Sequence, residues 1–446
     1  MSVTGKSEPA TATGVEQTKT DVGSNFVSNY PPYSFWDAAS LPEAYRALDA
    51  VPRPDTAAGL YVHVPFCRKR CKFCYFKVYT DKNAAEVRRY VDAVLREAEM
   101  HGARRAWSGR PLKFVYFGGG TPSFISARHL TSLVTGLRRA LCWDGVEEVT
   151  FECEPGTLTR PKLQAIRDAG VTRLSLGIES FDDAILSENG RAHTTREIRR
   201  VEPWIREMGF EQLNIDLIAG MIGETWESWK GSVRRTVEMA PDSVTIYQLE
   251  LPYNTVYSRT LLDGSRLEVA DWATKRAWHD HAFEELARAG YEPSSAYTMT
   301  RRGRDGRFVY RDSVWRGCDL LGLGVSSFGH ASGVHFQNLS RWEAYLERVE
   351  AGELPLDRAF RTEAIERVTR EAILLLKRGH LEADYFREKH SVDLVQTFRG
   401  TLERLRDAGM LTFDDERVEL TRQGLLRVDQ LLPEFYAARY QNARYT

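Results

Sequence analysis

The chain has 446 residues, 42% hydrophobic and 28% charged, with 61 Lys and Arg against 62 Asp and Glu, a length and balance that suit two or three ordinary globular domains. Near-neutral charge gives no global attraction to a phosphate backbone, no apolar run nears the ~20 residues that span a bilayer, and the N-terminus lacks the apolar middle segment of a secretory signal, so we expect a cytoplasmic protein that binds neither nucleic acid nor membrane. Of six cysteines, Cys67, Cys71 and Cys74 are crowded and Cys142, Cys153 and Cys318 scattered, a pattern that argues for bound metal and against a disulfide framework.

Residues 1–25, rich in Ser, Thr, Gly and charge, read as a disordered tail. An arm over 26–58 follows, containing the aromatic and proline-rich "NYPPYSFW" (Asn29 to Trp36), which suits neither a helix nor a strand interior. From 59 to 260 a rhythm sets in: the runs "GLYVHVPF", "LKFVYFGGG", "EEVTFECEP", "RLSLGIES", "QLNIDLIAG" and "SVTIYQLEL" alternate with segments of helical period. In the first of these, Val87, Tyr90, Val91, Val94, Leu95 and Ala98 share one face; later helices are expected near 127–141, 159–169, 194–208 and 224–239. Alternation of this kind implies right-handed βαβ units on a parallel sheet. Six units make most of a TIM-type barrel, and an open doubly wound sheet shares the same local pattern.

Beyond about 260 the rhythm stops. Residues 261–360 read as a barrel-closing linker region, with a loop from Tyr297 to Asn338 carrying many Arg, Gly and aromatic residues. The 361–446 segment is mainly helical, with Ile365, Val368, Ala372, Leu375 and Leu376 on a stripe. It ends in a helix and hairpin, "TFRGTLERLRDAGMLTFDDERVELT", of winged-helix outline. That helix mixes both charge signs, which favours a lid over a DNA reader.

The unusual residues gather at strand ends: the Cys cluster, Gly118 to Pro122, Glu152, Glu154, Glu179, Asp216, Gln248 and Glu250. Barrels and open α/β sheets build their sites on that face. Structural zinc normally closes four ligands, whereas here CxxxCxxC has no partner pair elsewhere. A [4Fe-4S] cluster held by three thiolates keeps one iron open to a small molecule.

CxxxCxxC with an aromatic residue just before the last Cys, at the end of a first strand, resembles the radical S-adenosylmethionine (SAM) superfamily. "YVHVPFC", "FGGGTPS", "ECEPG", "GVTRLSLGIESF", "NGRAHT", "NIDLIAG", "PDSVTIYQLEL" and "DLLGLGVSSFG" resemble, in order and spacing, its oxygen-independent coproporphyrinogen III oxidase-like branch. The resemblance implies an α/β fold: a partial (β/α)6 TIM-type barrel followed by a C-terminal mainly helical, winged-helix-like domain. It implies a [4Fe-4S] cluster on Cys67, Cys71 and Cys74, SAM bound at the open iron, and reductive cleavage to a 5′-deoxyadenosyl radical. A low-potential donor such as flavodoxin or ferredoxin supplies the electron. In this reading Tyr61 touches the cofactor carboxylate and Gly119, Gly120 and Thr121 its amino end. Glu152, Arg191 and Asp216 reach its methionyl part or ribose, and Phe73 packs beside the adenine.

Two positions depart from the branch. The oxidases proper carry a further Cys two residues past the cluster, where this chain has Phe76, and the related haem chaperones carry HNxxYW where this chain has "YRDSVW" (Tyr310 to Trp315). What remains resembles the class C methyltransferases and cyclopropanases, implying methyl or methylene transfer to an sp2 carbon of an aromatic or unsaturated substrate with a second SAM molecule. Trp315, Ser326 and Gln337 are expected in that second pocket. The alternatives are a coproporphyrinogen oxidase-like tetrapyrrole enzyme and a haem-binding chaperone. The run Arg301, Arg302, Arg304, Arg307, Arg311 and Arg316 is read chiefly as a solvated face, with Arg311 or Arg316 as candidates to hold a substrate carboxylate.

Overall fold

The computed structural model describes residues 20–24, 26–304, 306–441 and 443. Its centre is a parallel sheet of β1 (Ala58–Val64), β2 (Phe114–Gly119), β3 (Glu148–Cys153), β4 (Arg173–Glu179), β5 (Gln212–Ala219) and β6 (Ser243–Gln248), paired in chain order. Each coincides with an expected run. All six are almost wholly buried, as strands covered on both faces must be. Helices Ala84–Gly102, Ala127–Ala140, Arg160–Asp168, Thr195–Met208 and Trp226–Met239 form the intervening connections. The first begins with a capping box, the Asn83 side chain accepting from the Glu86 amide and Glu86 returning the bond; it buries Val87, Tyr90, Val91, Val94 and Ala98 on the sheet.

The 261–360 region, expected as barrel-closing or linker, is built of strands that extend the barrel sheet. This region adds β7 (Tyr291–Pro293), β8 (Thr298–Arg301), β9 (Asp319–Leu323), β10 (Phe328–Ala331), β11 (Val334–Asn338) and β12 (Leu356–Arg361). β9 pairs parallel with β1 on the side away from β2, and β10, β11 and β12 extend that flank antiparallel. β8 and β7 extend the β6 flank. The result is one twelve-stranded sheet with edges at β12 and β7, a partial barrel rather than a closed one. Strands of three to six residues interrupted by glycine carry too little period-2 signal to stand out in the sequence.

The C-terminal domain follows its expected outline. Helix Ala364–Leu376 is buried along most of its length, and β13 (His380–Glu382), β14 (Leu411–Phe413) and β15 (Arg417–Leu420) form a small sheet behind helix Arg399–Asp407. Ile365, placed on the apolar stripe, is instead 47% exposed.

The N-terminal arm belongs to this domain's core: Val27 and Tyr30 pack in one apolar cluster with Leu374, Leu376, Leu432 and Tyr436. It contains a 3-10 turn, Tyr33–Phe35, inside the stretch where no helix was expected, and further on a helix, Leu41–Leu48, whose Ala44, Ala47 and Leu48 pack into the barrel core. Residues 20–24, assigned to the disordered tail, are fixed by hydrogen bonds. The Gly23 amide donates to the Leu251 carbonyl at 2.8 Å and Lys275 Nζ to Thr20 Oγ1 at 2.6 Å. Residues 1–19 and 25 lie outside the described residues. Among the described residues, no helix is long and apolar enough to cross a membrane.

Candidate functional site

β1 delivers the chain into a compact loop, residues 67–78. Its base is tied where the Cys67 amide donates to the Tyr79 carbonyl at 3.0 Å and the Tyr79 amide to the Pro65 carbonyl at 2.7 Å. Cys67, Cys71 and Cys74 are all free and half-buried. Thr121 Oγ1 donates to Cys67 Sγ at 3.4 Å and Arg191 Nη1 to Cys71 Sγ at 3.3 Å. Burial pushes the Cys67 thiol up to about 11 and the Cys74 thiol up to about 12, so both need a cation to become the thiolates that bind iron. Among the described residues no three His, Cys, Asp or Glu side chains converge as they would on a single ion; thiols set apart in one loop suit the separate corners of a cubane. The donors aimed at sulfur fit such a group.

Beside the loop, the end of β2 runs through the glycines. Gly119 has φ +106°, and a Cβ there would lie 2.3 Å from His63 Nδ1; at Gly120 it would lie 2.8 Å from the Val64 carbonyl. Only glycine lets this backbone lie against β1, leaving an open cradle next to the thiols. The β1–β2 register sets Tyr61 opposite Tyr116 and His63 opposite Gly118. The two tyrosine rings stack at 5.8 Å and 14°. His63 Nε2 lies 3.3 Å from the Lys77 carbonyl, linking the cradle to the far end of the cysteine loop; burial holds His63 down at about 4, hence neutral.

β3 and β4 carry a carboxyl group at or next to their ends, Glu152 and Glu179, and β5 carries one, Asp216, within the strand rather than at its expected end. Glu152 accepts from Tyr116 O–H at 2.6 Å and from the Gly119 amide at 3.2 Å. Asp216 accepts from Ser175 Oγ and from Asn214 Nδ2, both at 2.9 Å. Glu179, in left-handed backbone at φ +68°, lies 3.7 Å from Arg191, whose Nη2 donates to the Gly177 carbonyl at 2.6 Å. Burial and mutual repulsion push Glu152 and Glu179 up to about 7, and burial raises Asp216. Glu154 behaves oppositely. Burial alone would raise it, but His193 at 3.1 Å and Arg68 at 3.0 and 3.2 Å hold it down at about 2.

These groups line one cavity of about 1110 Å³, at the upper end for small-molecule sites. Tyr61, Phe73, Thr121, Glu152, Arg191 and Asp216 all face it. Phe73 also packs against the apolar cluster of Ile218 and Leu249. Ser326 and Gln337 line the lobe under the β10–β11 hairpin. There Gln337 Nε2 donates to the Ser326 carbonyl at 3.3 Å and Arg358 Nε to Gln337 Oε1 at 2.6 Å.

Trp315, expected in this lobe, does not line the cavity; it packs on the apolar core of the C-terminal domain, beneath the Arg311 guanidinium. Nor do the two candidate arginines reach it. Arg311 is bonded to Asp312 and Ser294, and Arg316 is exposed. Tyr310, where the chaperone motif has His, enters the barrel instead and packs on Tyr116 at 4.2 Å.

Several residues at the site were not singled out from the sequence: Tyr116, His63, Arg68 and His193, the partners of Glu154, and the arm residues Tyr33 and Trp36, which line the far lobe. Strand parity could have found Tyr116, two residues before Gly118 and so on the same face. The arm had no such signal.

Residues 61–235 match the family model of the radical SAM superfamily, and residues 363–427 match the HemN C-terminal domain. Residues 61–235 thus carry a radical SAM domain and residues 363–427 a HemN-type C-terminal domain, and the radical SAM family works with a [4Fe-4S] cluster and SAM. Among its relatives, the heme chaperone HemW of Lactococcus lactis subsp. lactis is 26% identical over 378 residues, covering 83% of this chain and 94% of the relative. The oxygen-independent coproporphyrinogen III oxidase of Helicobacter pylori is 26% identical over 417 residues, 89% of this chain and 90% of the relative. The solved coproporphyrinogen III oxidase of Escherichia coli shares the fold, with a TM-score of 0.80 at 23% identity over 92% of this chain and 96% of that one. These similarities correct the expected assignment to the class C methyltransferases: the HemN-like branch is supported and the methyltransferase subtype is not.

Proposed function

We propose that this chain is a cytoplasmic radical SAM enzyme of the coproporphyrinogen oxidase-like type, acting on a tetrapyrrole. The observation that carries the reading is the single cavity of about 1110 Å³. It runs from the cysteine loop and glycine cradle to an aromatic lobe walled by Tyr33, Trp36 and Phe328, in a chain collinear with tetrapyrrole-handling relatives over most of its length.

The cluster and SAM supply a 5′-deoxyadenosyl radical when bound. Cys67, Cys71 and Cys74 hold the cluster. Gly119, Gly120 and Thr121 receive the amino end of SAM, and Tyr61 and Arg191 its carboxylate side. Glu152 and Asp216, buried and hydrogen-bonded, suit ribose hydroxyls. Phe73 flanks the adenine. His63 and Tyr116 keep cradle and carboxylate in register, and the arm closes the far lobe against water.

Phe76 in place of the additional cysteine is the one feature that favours methylene transfer as a second reading, since Gln337 is already bonded to the Ser326 carbonyl and to Arg358. A haem-carrier role fits less well, because Tyr310 offers no imidazole. Chromatography of the products from anaerobically reconstituted protein, SAM and reductant, with and without coproporphyrinogen III, separates the three. Formation of 5′-deoxyadenosine alone, rising with the tetrapyrrole, supports the main reading. S-adenosylhomocysteine beside it would replace that reading with methylene transfer, and tight haem binding without cleavage would point to a carrier.

A further inference from the structure

Bulky branched side chains ordinarily fill the interior of a barrel of this type, and three neighbouring strands depart from that pattern. In "RLSLG" of β4, "QLNID" of β5 and "SVTIY" of β6, Leu174, Leu176, Ile215, Val244 and Ile246 share one parity and pack in the main apolar core. At the other parity stand Arg173, Ser175, Asn214, Asp216, Ser243 and Thr245. Arg173, Asn214 and Ser243 are 2%, 2% and 1% exposed, so they are built into the protein rather than solvated. The strand register brings them level: Arg173 lies opposite Gln212, Ser175 opposite Asn214, Asn214 opposite Ser243 and Asp216 opposite Thr245.

Their hydrogen bonds run one way. Arg173 Nη1 donates to Gln212 Oε1 at 2.7 Å and Nη2 to Ser243 Oγ at 3.1 Å. Ser243 O–H donates to Asn214 Oδ1 at 2.8 Å, and Thr245 O–H donates to the same oxygen at 3.1 Å. Asn214 Nδ2 passes on both of its hydrogens, to Ser175 Oγ at 3.0 Å and to Asp216 Oδ1 at 2.9 Å, and Ser175 O–H reaches Asp216 Oδ2 at 2.9 Å. Four bonds to Asn214 fix which end of its amide faces the carboxylate, and every donor in the chain points toward Asp216. Each Asp216 oxygen thus has one lone pair engaged from below and one left for the cavity that the residue lines, an arrangement suited to two vicinal hydroxyls.

Among the described residues the Arg173 side chain bonds only to neutral groups. A guanidinium buried without a direct ion pair is costly, and here its charge is answered at the other end of the chain. Burial pushes the Asp216 carboxyl up, while the bonds from Ser175 and Asn214 and the charges of Arg173 and Arg191 draw it back. The other titratable groups on that space, Glu152, Glu179 and Tyr247, are each pushed up by burial and by the Asp216 charge, so Asp216 is the carboxylate that the network keeps. We infer that Arg173, Ser243 and Asn214 are positioning residues for Asp216, holding its carboxylate as an oriented acceptor for the ribose hydroxyls of SAM without touching the cofactor themselves. The inference rests on the assignment of Asp216 to the ribose and is independent of the tetrapyrrole reading.

The test is equilibrium dialysis of SAM against the reconstituted full-length protein at pH 6.5 and 8.5, without reductant so that nothing is cleaved. Asn214→Leu and Arg173→Met are each expected to raise the Kd about tenfold over the parent at pH 6.5 and less than about threefold at pH 8.5, because Asp216 then keeps a proton at the lower pH. Dividing by the parent's value at each pH cancels the titration of SAM itself. Ser243→Ala removes only the link between them; it should show the same pH dependence at about threefold, and serves if the larger changes cost the fold or the cluster. Asp216→Asn, which has no proton to lose, should weaken binding equally at both pH values. Unchanged affinity in Asp216→Asn would take Asp216 away from the ribose and the inference with it. If Asp216→Asn weakens binding while the other variants bind like the parent, or lose affinity equally at both pH values, the inference alone falls and these residues merely fill the barrel.

Discussion

The two ends of the cavity are built differently. At the end near the cysteine loop, the walls come mainly from successive strands of the parallel sheet: the loop after β1, the glycines of β2, Glu152 and Glu179 near the ends of β3 and β4, and Asp216 within β5. At the far lobe the walls come from four segments distant in sequence: the arm, the β10–β11 hairpin, Arg358 of β12 and the C-terminal domain. Trp36 stacks on His335 at 5.1 Å and 6°, Tyr33 on Phe328 at 4.4 Å, and Arg358 Nη1 donates to the Tyr33 carbonyl at 2.8 Å. The first end is rigid by backbone geometry and suits a cofactor common to many reactions. The second depends on long-range packing, so specificity can change there without disturbing the first.

This contrast can be broken by substitution at either end. The largest effect is expected from Cys71→Ala, which should abolish the iron–sulfur absorbance and all SAM cleavage while circular dichroism shows the barrel intact. Cleavage surviving in the reconstituted variant would remove Cys71 from the ligand set. Gly119→Ala comes next. A side chain at φ +106° that meets the His63 ring should cost about 1–3 kcal/mol in backbone strain and lower cleavage roughly a hundredfold (~2.7 kcal/mol), read from the rate with saturating SAM.

Glu154 tests whether the carboxylates differ as the geometry requires. Its folded value of about 2 lies below the usual 4.5, so it adds stability above pH 4.5 that is lost as pH falls toward 2. A depression of that size corresponds to about 3 kcal/mol at most. Glu154→Gln should therefore be less stable than the parent at pH 6, with a gap that narrows as pH falls below 4.5 and closes only near pH 2 in urea unfolding; a gap that stays constant with pH would contradict the ion cluster.

Tyr116→Phe removes one of the two donors to Glu152, an effect of about 1–2 kcal/mol. It should raise the KM for SAM several-fold with kcat changed little. Gln337→Ala, at the far lobe, should have the smallest effect on cofactor chemistry: cleavage without substrate unchanged, and stimulation by a tetrapyrrole reduced a few-fold. If Gln337→Ala instead impairs unstimulated cleavage, the two ends are not separable.

The cysteine-loop end was legible because its signals are local. Three cysteines within eight residues, three consecutive glycines and single acidic residues at the ends of apolar runs each report on a turn or strand terminus without knowledge of the rest of the fold. The far lobe was not. Ser326 and Gln337 line it, while Trp315, only eleven residues before Ser326, turned into the C-terminal core. Nothing in "YRDSVW" distinguishes a cavity wall from a domain interface, because both demand an aromatic residue in an apolar setting. Likewise "YTMTRRGRDGRFVYRDSVWRGCDLLGLGVSSFGHASGVHFQN" read as loop although it supplies four strands, β8 to β11.

By itself the sequence determined the order of the βα units, the thiolate loop with its cluster chemistry, and the strand-end carboxylates, since hydrophobic period, glycine and ligand spacing are properties of neighbouring residues. Tertiary structure alone decided that β9 joins the parallel sheet beside β1, that the arm covers the far lobe, and that Tyr310 rather than Trp315 faces the cavity. Those outcomes rest on pairing and packing between segments up to several hundred residues apart. Such contacts are selected by burial and shape, which no local pattern encodes.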